Sequence, residues 1–242
     1  VNELARVVGV SLSTVRRDLD ELNRLGLIAR SHGGAILPSV LGTAVEPTRE
    51  ISAQIARREK RSIARLAADL LRDGQSVIFD SSSTVMEVAQ RVVERDLRLT
   101  AVTNDIKIAE VLSRSAKVEV VVLGGSLRPG SPTLIGEPGL GFLQGLPVAV
   151  SVIGIHAIKG TRLCETRTDL AHLKLRMIEA AEYSVLVADS AKFGATAFRQ
   201  VCDVTELNEI ITDAGLPEST RRQFEELGVR MQIASGPATG GS

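Results

Sequence analysis

Residues 76–84 read SVIFDSSST, a short apolar run followed by an aspartate and four hydroxyl-bearing residues. A helical pattern begins directly afterwards and continues to Glu94. An apolar run of this length, closed by a polar turn, is typical of a strand that is buried on both faces. The stretch therefore predicts a buried strand leading straight into a helix, which is the building unit of a parallel α/β sheet.

The same alternation continues toward the C-terminus. Further apolar runs lie at 99–102, 118–123, 148–155, 184–188 and 209–212, and helical patterns lie at 106–114, 170–182 and 218–227. Strands that alternate with helices predict parallel strands joined by crossover helices, hence a Rossmann-like α/β domain. Such sheets bind ligands beyond the carboxyl ends of their strands, so the residues that follow each strand are the candidate site.

The residues after these strands are suited to binding an anion. Ser82, Ser83 and Thr84 combine hydroxyls with the free N–H groups of a helix N-terminus, which predicts a phosphate-binding loop. A plain helix cap, which needs one hydroxyl, is the simpler alternative. The other strand ends contribute Asp80, Asn104, Gly124, Gly125, Arg128 and Lys192. The two cations are equally compatible with surface ion pairs, and their shared position at strand ends is what favours a ligand role.

The first forty residues carry a second, smaller pattern. An amphipathic stretch at 3–8 is followed by a turn at 9–11, where glycine and a serine N-cap are expected, and by a helical pattern at 13–23. Val15, Leu19 and Leu22 form the inward face of that helix. A small hairpin is expected at 27–37. Together these elements predict a winged helix-turn-helix.

The outward face of the second helix is suited to double-stranded DNA. It carries Ser13, Thr14, Arg16 and Arg17 near its N-terminal end, and the hairpin adds Arg30 and His32. The first turns of a recognition helix enter the major groove, where arginine can bind guanine edges or phosphate. An ordinary helical hairpin with solvated arginines is the alternative, because helix-turn-helix patterns have many false positives.

These patterns divide the chain into a DNA-binding module at 1–38, a linker at 39–49 and a sensor domain at 50–242. The linker mixes Ser, Gly, Thr and Pro with scattered aliphatic residues. A single helix is predicted at 50–72, with a charged run at 57–61 that is expected to be a solvated face; a DNA-proximal or inter-subunit surface is the alternative. Because the chain begins at Val1 inside the DNA-binding pattern, we expect the opening helix of that module to be missing.

Composition excludes several classes of protein. The 242 residues have a formal net charge of zero, so no bulk attraction to nucleic acid or anionic membranes is expected. No apolar run approaches the roughly 20 residues needed to span a bilayer, and no signal peptide opens the chain, so we expect a cytoplasmic protein. Aromatic residues are 2% of the chain, which disfavours binding of single-stranded nucleic acid by base stacking. Cys164 and Cys202 are expected to be reduced thiols, and the scattered histidines and cysteines predict no metal site.

The motifs resemble those of the DeoR family of bacterial transcriptional regulators over roughly residues 1–214. STVRRDL at 13–19 and HGGA at 32–35 are similar to the family pattern S-x-x-T-[IV]-R-R-D-L followed by H-G-G-A. DSSST at 80–84, VTND at 102–105 and the glycine pair with Arg128 resemble its phosphosugar domain, which is related in fold to ribose-5-phosphate isomerase. The chain departs from this pattern at Ser82, which replaces a glycine, and at His156 and Ala191.

The resemblance implies a cytoplasmic repressor of a carbohydrate-utilisation operon. It implies a homo-oligomer that binds double-stranded operator DNA, needs no cofactor, and is released by a phosphorylated sugar. The phosphate would bind at Ser82, Ser83 and Thr84 with Lys192 and Arg128, and Asp80 and Asn104 would contact sugar hydroxyls. Two other classes stay open: a phosphosugar isomerase or hydrolase that uses Asp80, Asp189 and Lys192 for acid–base work, and a DNA-binding protein with a vestigial, unregulated pocket.

Overall fold

The computed structural model describes residues 1–24, 28–31, 34–36 and 49–235. The N-terminal module contains two helices, α1 (Asn2–Val8) and α2 (Leu12–Arg24), and an antiparallel hairpin of β1 (Ala29–Ser31) and β2 (Gly34–Ile36). Gly9 ends α1 in the left-handed conformation with φ 73°, which glycine adopts without strain. Two helices followed by a hairpin agree with the predicted winged helix-turn-helix.

The helix predicted at 50–72 is interrupted, which corrects the sequence-based expectation. The structure has α3 (Arg49–Gln54) and α4 (Arg57–Leu70), separated at Ala56, whose φ of 51° is left-handed. No glycine or proline marks this break in the sequence. At the break, the carbonyls of Ser52 and Ile55 accept hydrogen bonds from the side chain of Lys60 on α4.

The remaining elements contain the predicted alternation of strands and helices together with further short strands. In chain order they are β3 (Ser76–Phe79), α5 (Ser83–Glu94), β4 (Leu99–Thr103), α6 (Ile106–Leu112), β5 (Val118–Val122), β6 (Ser126–Leu127), β7 (Leu134–Ile135), α7 (Gly139–Phe142), β8 (Val148–Ile153), β9 (Ala157–Lys159), β10 (Arg162–Glu165), α8 (Thr168–Glu179), β11 (Ala181–Val187), β12 (Arg199–Asp203), β13 (Glu209–Asp213), α9 (Glu218–Glu226) and β14 (Arg230–Ala234). Short 3₁₀ turns lie at Ser190–Lys192 and Val204–Glu206.

Seven strands form one parallel sheet in the order β14-β13-β11-β8-β3-β4-β5. All six neighbouring pairs in this sheet are parallel, which confirms the Rossmann-like α/β prediction. The chain runs outward from β3 through β4 to β5, then returns to the other side of β3 with β8. The order therefore switches between β3 and β8, and their carboxyl ends form the crevice where such sheets bind ligands.

Two apolar layers cover the sheet. On one side α4, α5 and α6 bury Ile63, Val88 and Leu112 against strand residues such as Phe79. On the other side α8 and α9 bury residues such as Met177 and Phe224. Each fully buried aliphatic side chain contributes about 1.5–3 kcal/mol, so these layers provide the main stabilisation that holds the strand ends in place.

Three features were not predicted from the sequence. β14 extends the sheet at one edge, a small antiparallel sheet of order β12-β10-β9 packs beside it, and β6 pairs with β7 as a short hairpin. The run predicted as a strand at 148–155 ends at Ile153, which leaves Gly154 and its neighbours as a loop at the switch point. In the parts of the chain that the structure describes, no helix combines the length and apolarity needed to cross a bilayer.

Candidate ligand cavity and DNA-binding surface

The loops after β3 and β8 are joined by the carboxylate of Asp80. Its Oδ1 accepts from the Ser82 N–H at 2.8 Å, and its Oδ2 accepts from the Gly154 N–H at 3.0 Å. Asp80 is 1% exposed, and Oδ2 also lies 3.0 Å from Nζ of Lys174. Both carboxylate oxygens are therefore engaged within the protein, and Asp80 ties together the two loops that flank the switch point.

Ser82 fits into this loop because residue 154 is a glycine. A Cβ added at Gly154 would lie 2.1 Å from Oγ of Ser82, closer than any real contact. Ser82 is the N-cap of α5, and its Oγ accepts from the Val85 N–H at 3.2 Å. The serine that departs from the family pattern is thus accommodated, and it caps the helix whose first N–H groups have no intrahelical acceptor.

Lys174, on α8, lies beneath this loop between two carboxylates. Its Nζ donates to Oε1 of Glu165 at 2.5 Å and to the Gly154 carbonyl at 2.7 Å, besides its contact with Asp80. Burial by itself would lower the pKa of Lys174, but attraction to Asp80 and Glu165 raises that pKa above its ordinary value. The lysine is therefore a fixed cation at neutral pH, with all three of its donors satisfied.

A cavity of about 390 Å³ opens above these groups at the carboxyl ends of the strands. We call it the switch-point cavity. Five residues predicted to contact ligand line it, namely Ser82, Ser83, Thr84, Arg128 and Lys192. Arg128 comes from the β6–β7 hairpin and Lys192 from the turn after β11. The structure thus brings together groups from three separate strand ends, as the parallel-sheet prediction requires.

The other four predicted residues lie outside the lining of this cavity. Asp80 is held behind the wall, and Nδ2 of Asn104 donates to the Leu134 carbonyl at 3.1 Å, which fastens β7. A Cβ at Gly124 would lie 2.9 Å from Pro138, and one at Gly125 would lie 2.5 Å from the Ile135 carbonyl oxygen. The two glycines are required where the chain packs closely around the β6–β7 hairpin, which carries Arg128.

Sequence reasoning missed three charged residues of the cavity wall: Lys60, Glu165 and Lys174. Lys60 belongs to the run at 57–61 that was predicted to be solvated, yet it is 3% exposed. That prediction was wrong for Lys60, which lies on the buried face of α4 together with Ile63 and Ala67. The helical register could have indicated it, since Lys60 lies three and seven residues before the buried Ile63 and Ala67.

The charges around the cavity favour an anionic ligand. Four cations line it, namely Lys60, Arg128, Lys174 and Lys192, against a single lining carboxylate, Glu165. Counting also Asp80 and Asp189, whose carboxylates are buried behind the wall, leaves four cations against three carboxylates. The balance stays positive, and the N-terminus of the twelve-residue α5 adds its own partial positive charge.

Four of the six residues predicted to contact DNA lie on α2, namely Ser13, Thr14, Arg16 and Arg17. Ser11 caps α2 by accepting from the Thr14 N–H at 3.1 Å, while Val15 and Leu19 are each 7% exposed. Ser13, Arg16 and Arg17 are exposed, and Thr14 is half-buried and bonded to Ser11. Arg30 lies on β1, whereas His32 lies outside the described residues. Leu4, Val7 and Val8 of α1 are exposed, at 41%, 78% and 62%.

The described residues contain no group of three or more histidine, cysteine or carboxylate side chains that could hold a metal ion. Cys164 and Cys202 are both buried free thiols, as expected. Burial raises the pKa of both thiols, that of Cys202 to about 12, so neither is an activated nucleophile.

A helix-turn-helix module joined to a Rossmann-like domain defines a class of protein, the helix-turn-helix transcriptional regulators. Family models agree with both halves: the DeoR-like helix-turn-helix domain matches residues 1–40, and the DeoR C-terminal sensor domain matches residues 55–214. The chain belongs to the DeoR family.

Several curated proteins are similar over nearly the whole chain. A putative aga operon transcriptional repressor of Escherichia coli is 33% identical over 96% of this chain and 86% of its own length. The regulator GlpR of Haloferax volcanii is 36% identical over 95% of this chain and 89% of its own length. An L-fucose operon activator of Haemophilus influenzae is 33% identical over 93% of this chain and 90% of its own length. These relatives are all named as regulators of transcription.

Solved structures match this chain over part of its length. Ribose-5-phosphate isomerase A from Neisseria gonorrhoeae matches with a TM-score of 0.41 at 18% identity, over 55% of this chain and 52% of that one. eIF2B delta from Chaetomium thermophilum matches with a TM-score of 0.49 at 16% identity, over 66% of this chain and 57% of that one. The matches span about half of the length of each of these two structures.

Proposed function

We propose that this protein is a repressor of a carbohydrate-utilisation operon and that a phosphorylated sugar, bound in the switch-point cavity, releases it from operator DNA. The observation that carries the proposal is the convergence of Ser82, Ser83 and Thr84 with Arg128 and Lys192 around one cavity. Helix N-termini with hydroxyls and flanking cations bind phosphate through N–H groups, charge and dipole together. Relatives named as repressors support the direction of regulation.

The cavity also suits the rest of a sugar phosphate. Its volume of about 390 Å³ falls within the range of small-molecule sites. The wall combines polar groups such as Thr133 and His156 with apolar ones such as Ile155 and Leu170. Hydroxyls of a sugar can therefore hydrogen-bond to the polar groups while its carbon skeleton packs against the apolar ones. Asp80 acts here as a positioning residue, since both of its oxygens are engaged within the protein.

The same geometry speaks against Asp80 and Lys174 as the catalytic groups of an isomerase or hydrolase. A general base must reach a substrate proton, and Asp80 is buried with its oxygens occupied. Lys174 has a raised pKa, so it keeps its proton and is a poor nucleophile at neutral pH. The groups that resemble acid–base machinery hold the two loops together instead.

The proposal is tested by titrating a complex of the protein and its operator with a panel of sugar phosphates and the matching free sugars. One phosphorylated sugar is expected to weaken operator binding by about 5- to 150-fold, the usual range of allosteric coupling. Operator DNA must weaken binding of that sugar by the same factor. The free sugar is expected to have no effect, because it lacks the anion.

Lys192→Ala should abolish this response while leaving operator affinity unchanged. Lys159→Ala is the matched control, since Lys159 is an exposed lysine of the same domain that does not line the cavity. Turnover of any sugar phosphate would favour an enzyme. A panel in which nothing alters operator affinity would instead mean that the cavity has no regulatory role.

A further inference from the structure

Lys60 holds α3 from inside the protein. Its Nζ donates to the carbonyl of Ser52 at 2.5 Å and to that of Ile55 at 2.8 Å, at the C-terminal end of α3. The same lysine lines the switch-point cavity. One buried ammonium group therefore both fastens α3 and forms part of the wall that faces the proposed ligand.

A second donor converges on the same carbonyl. Oγ of Ser83 donates to the Ser52 carbonyl at 3.4 Å, and Ser83 is the first residue of α5. Ser83 also belongs to the loop proposed to bind phosphate. Nζ of Lys60 and Oγ of Ser83, which donate to the Ser52 carbonyl, therefore lie where a bound anion would accept hydrogen bonds from them instead.

The charges around Lys60 make this exchange favourable. Two neutral carbonyls hold its ammonium group. Burial lowers the pKa of Lys60 to about 8. The nearby Asp189 carboxylate acts to raise this pKa, and the charge of Lys192 acts to lower it. Asp189 is 2% exposed, and neither of its oxygens has a hydrogen-bond partner among the described residues. A buried cation gains more from a charged acceptor than from a carbonyl, so an incoming phosphate competes well for Lys60.

We propose that Lys60 and Ser83 form a latch on α3, and that the phosphate group of the ligand opens it by drawing both donors away from the Ser52 carbonyl. This inference rests on the phosphate site proposed above. α3 is the first described element after the DNA-binding module, so its release changes how that module is connected to the sensor domain. Ala56, held left-handed between α3 and α4, is the junction about which α3 moves.

The latch is tested with a pair of spin labels on the full chain, at Gln54→Cys on α3 and Gln90→Cys on α5. Both positions are exposed, whereas Cys164 and Cys202 are buried. The distance between the labels is measured with and without inorganic phosphate, at matched ionic strength, and phosphate binding is followed separately by calorimetry. We expect one narrow distribution without phosphate and a longer or broader one with it.

Lys60→Met should give the open distribution without phosphate and weaken operator binding by about 5- to 150-fold, the range typical of allosteric coupling. Arg65→Met, an exposed position on the same helix, should behave like the unmodified chain. Ser83→Ala should shift the distribution in the same direction but less, and it serves as the test if Lys60→Met does not fold.

The possible failures are distinguishable. If phosphate binds but the distance between the two labels does not change, the latch is wrong and the proposed function is unaffected. A normal distance and normal operator affinity in Lys60→Met overturn the latch whatever the ligand. If neither phosphate nor any sugar phosphate binds, the shared site is wrong and both proposals fall.

Discussion

Gly154 and Ser82 form the tightest contact at the site. The loop after β8 approaches the loop after β3 so closely that residue 154 has no room for a Cβ beside the Ser82 side chain. Gly154 also supplies its N–H to Asp80 and its carbonyl to Lys174. A single backbone position thus orders the helix cap, the buried carboxylate and the buried lysine.

Gly154→Ala is therefore expected to destabilise the protein by about 1–3 kcal/mol, the usual effect of overpacking. Ser82→Gly alone should lower stability by only a few tenths of a kcal/mol, because glycine is a tolerable N-cap. The double variant Gly154→Ala/Ser82→Gly should be more stable than Gly154→Ala. Urea unfolding of all three variants measures this coupling. Strictly additive effects would mean that the contact with Ser82 is not what excludes a side chain at 154.

The buried cluster of Asp80, Lys174 and Glu165 is the other residue-level feature of the site. The cluster holds two carboxylates against one ammonium group, so removing Lys174 would leave both carboxylates without a compensating cation in the interior. The three side chains contact one another and the backbone of the loop at Gly154. Their effect is to hold the loop geometry on which the cavity above depends.

Among the elements, α2 has the composition and exposure of a recognition helix. Its buried face holds it in the module, and its exposed arginines lie in the first turns after the Ser11 cap. Since the net charge of the chain is zero, binding to DNA depends on such local groups rather than on a general positive field.

The double variant Arg16→Ala/Arg17→Ala should weaken operator binding by about 1–3 kcal/mol for each arginine that contacts a base edge, with relaxed specificity at that position. An arginine that contacts phosphate would instead weaken binding to every sequence and reduce the salt slope by about one unit. Fluorescence anisotropy over a salt series separates the two cases. Arg98→Ala, an exposed arginine of the sensor domain, is the control. Unchanged affinity in the double variant would exclude α2 as the recognition helix.

At the scale of the whole molecule, we expect DNA binding and the proposed ligand binding to act through an assembly. One winged module contacts only a short half-site, so useful affinity requires two or more modules acting together. We therefore expect a homo-oligomer held mainly by the sensor domain and the region 50–72. Light scattering at micromolar concentration, with and without ligand, measures its mass. A monomer under both conditions would contradict this expectation, and an operator cut to one half-site should then bind as well as the whole.

Much of the architecture follows from the sequence alone. Apolar runs and helical periodicity predicted six of the seven parallel strands and the helices α5, α6, α8 and α9, because burial on both faces leaves a direct signature in the order of residue types. The same reasoning predicted that Ser82–Thr84, Arg128 and Lys192 share one edge of the sheet, since parallel strands point their carboxyl ends the same way. The recognition-helix motif was equally visible, because its residues are close together in the chain.

What only the tertiary structure decided is which side chains bind one another across long stretches of chain. Sequence periodicity predicted one helix at 50–72, and the structure breaks it at Ala56 and turns Lys60 inward to the carbonyls of α3. It also pairs Asp80 with Lys174 from α8, which removes Asp80 from the surface that faces a ligand. Local patterns indicate which faces of the strands and helices are buried. They do not encode which distant partner satisfies a buried charge, because that partner is brought into reach only when the sheet and its helices pack.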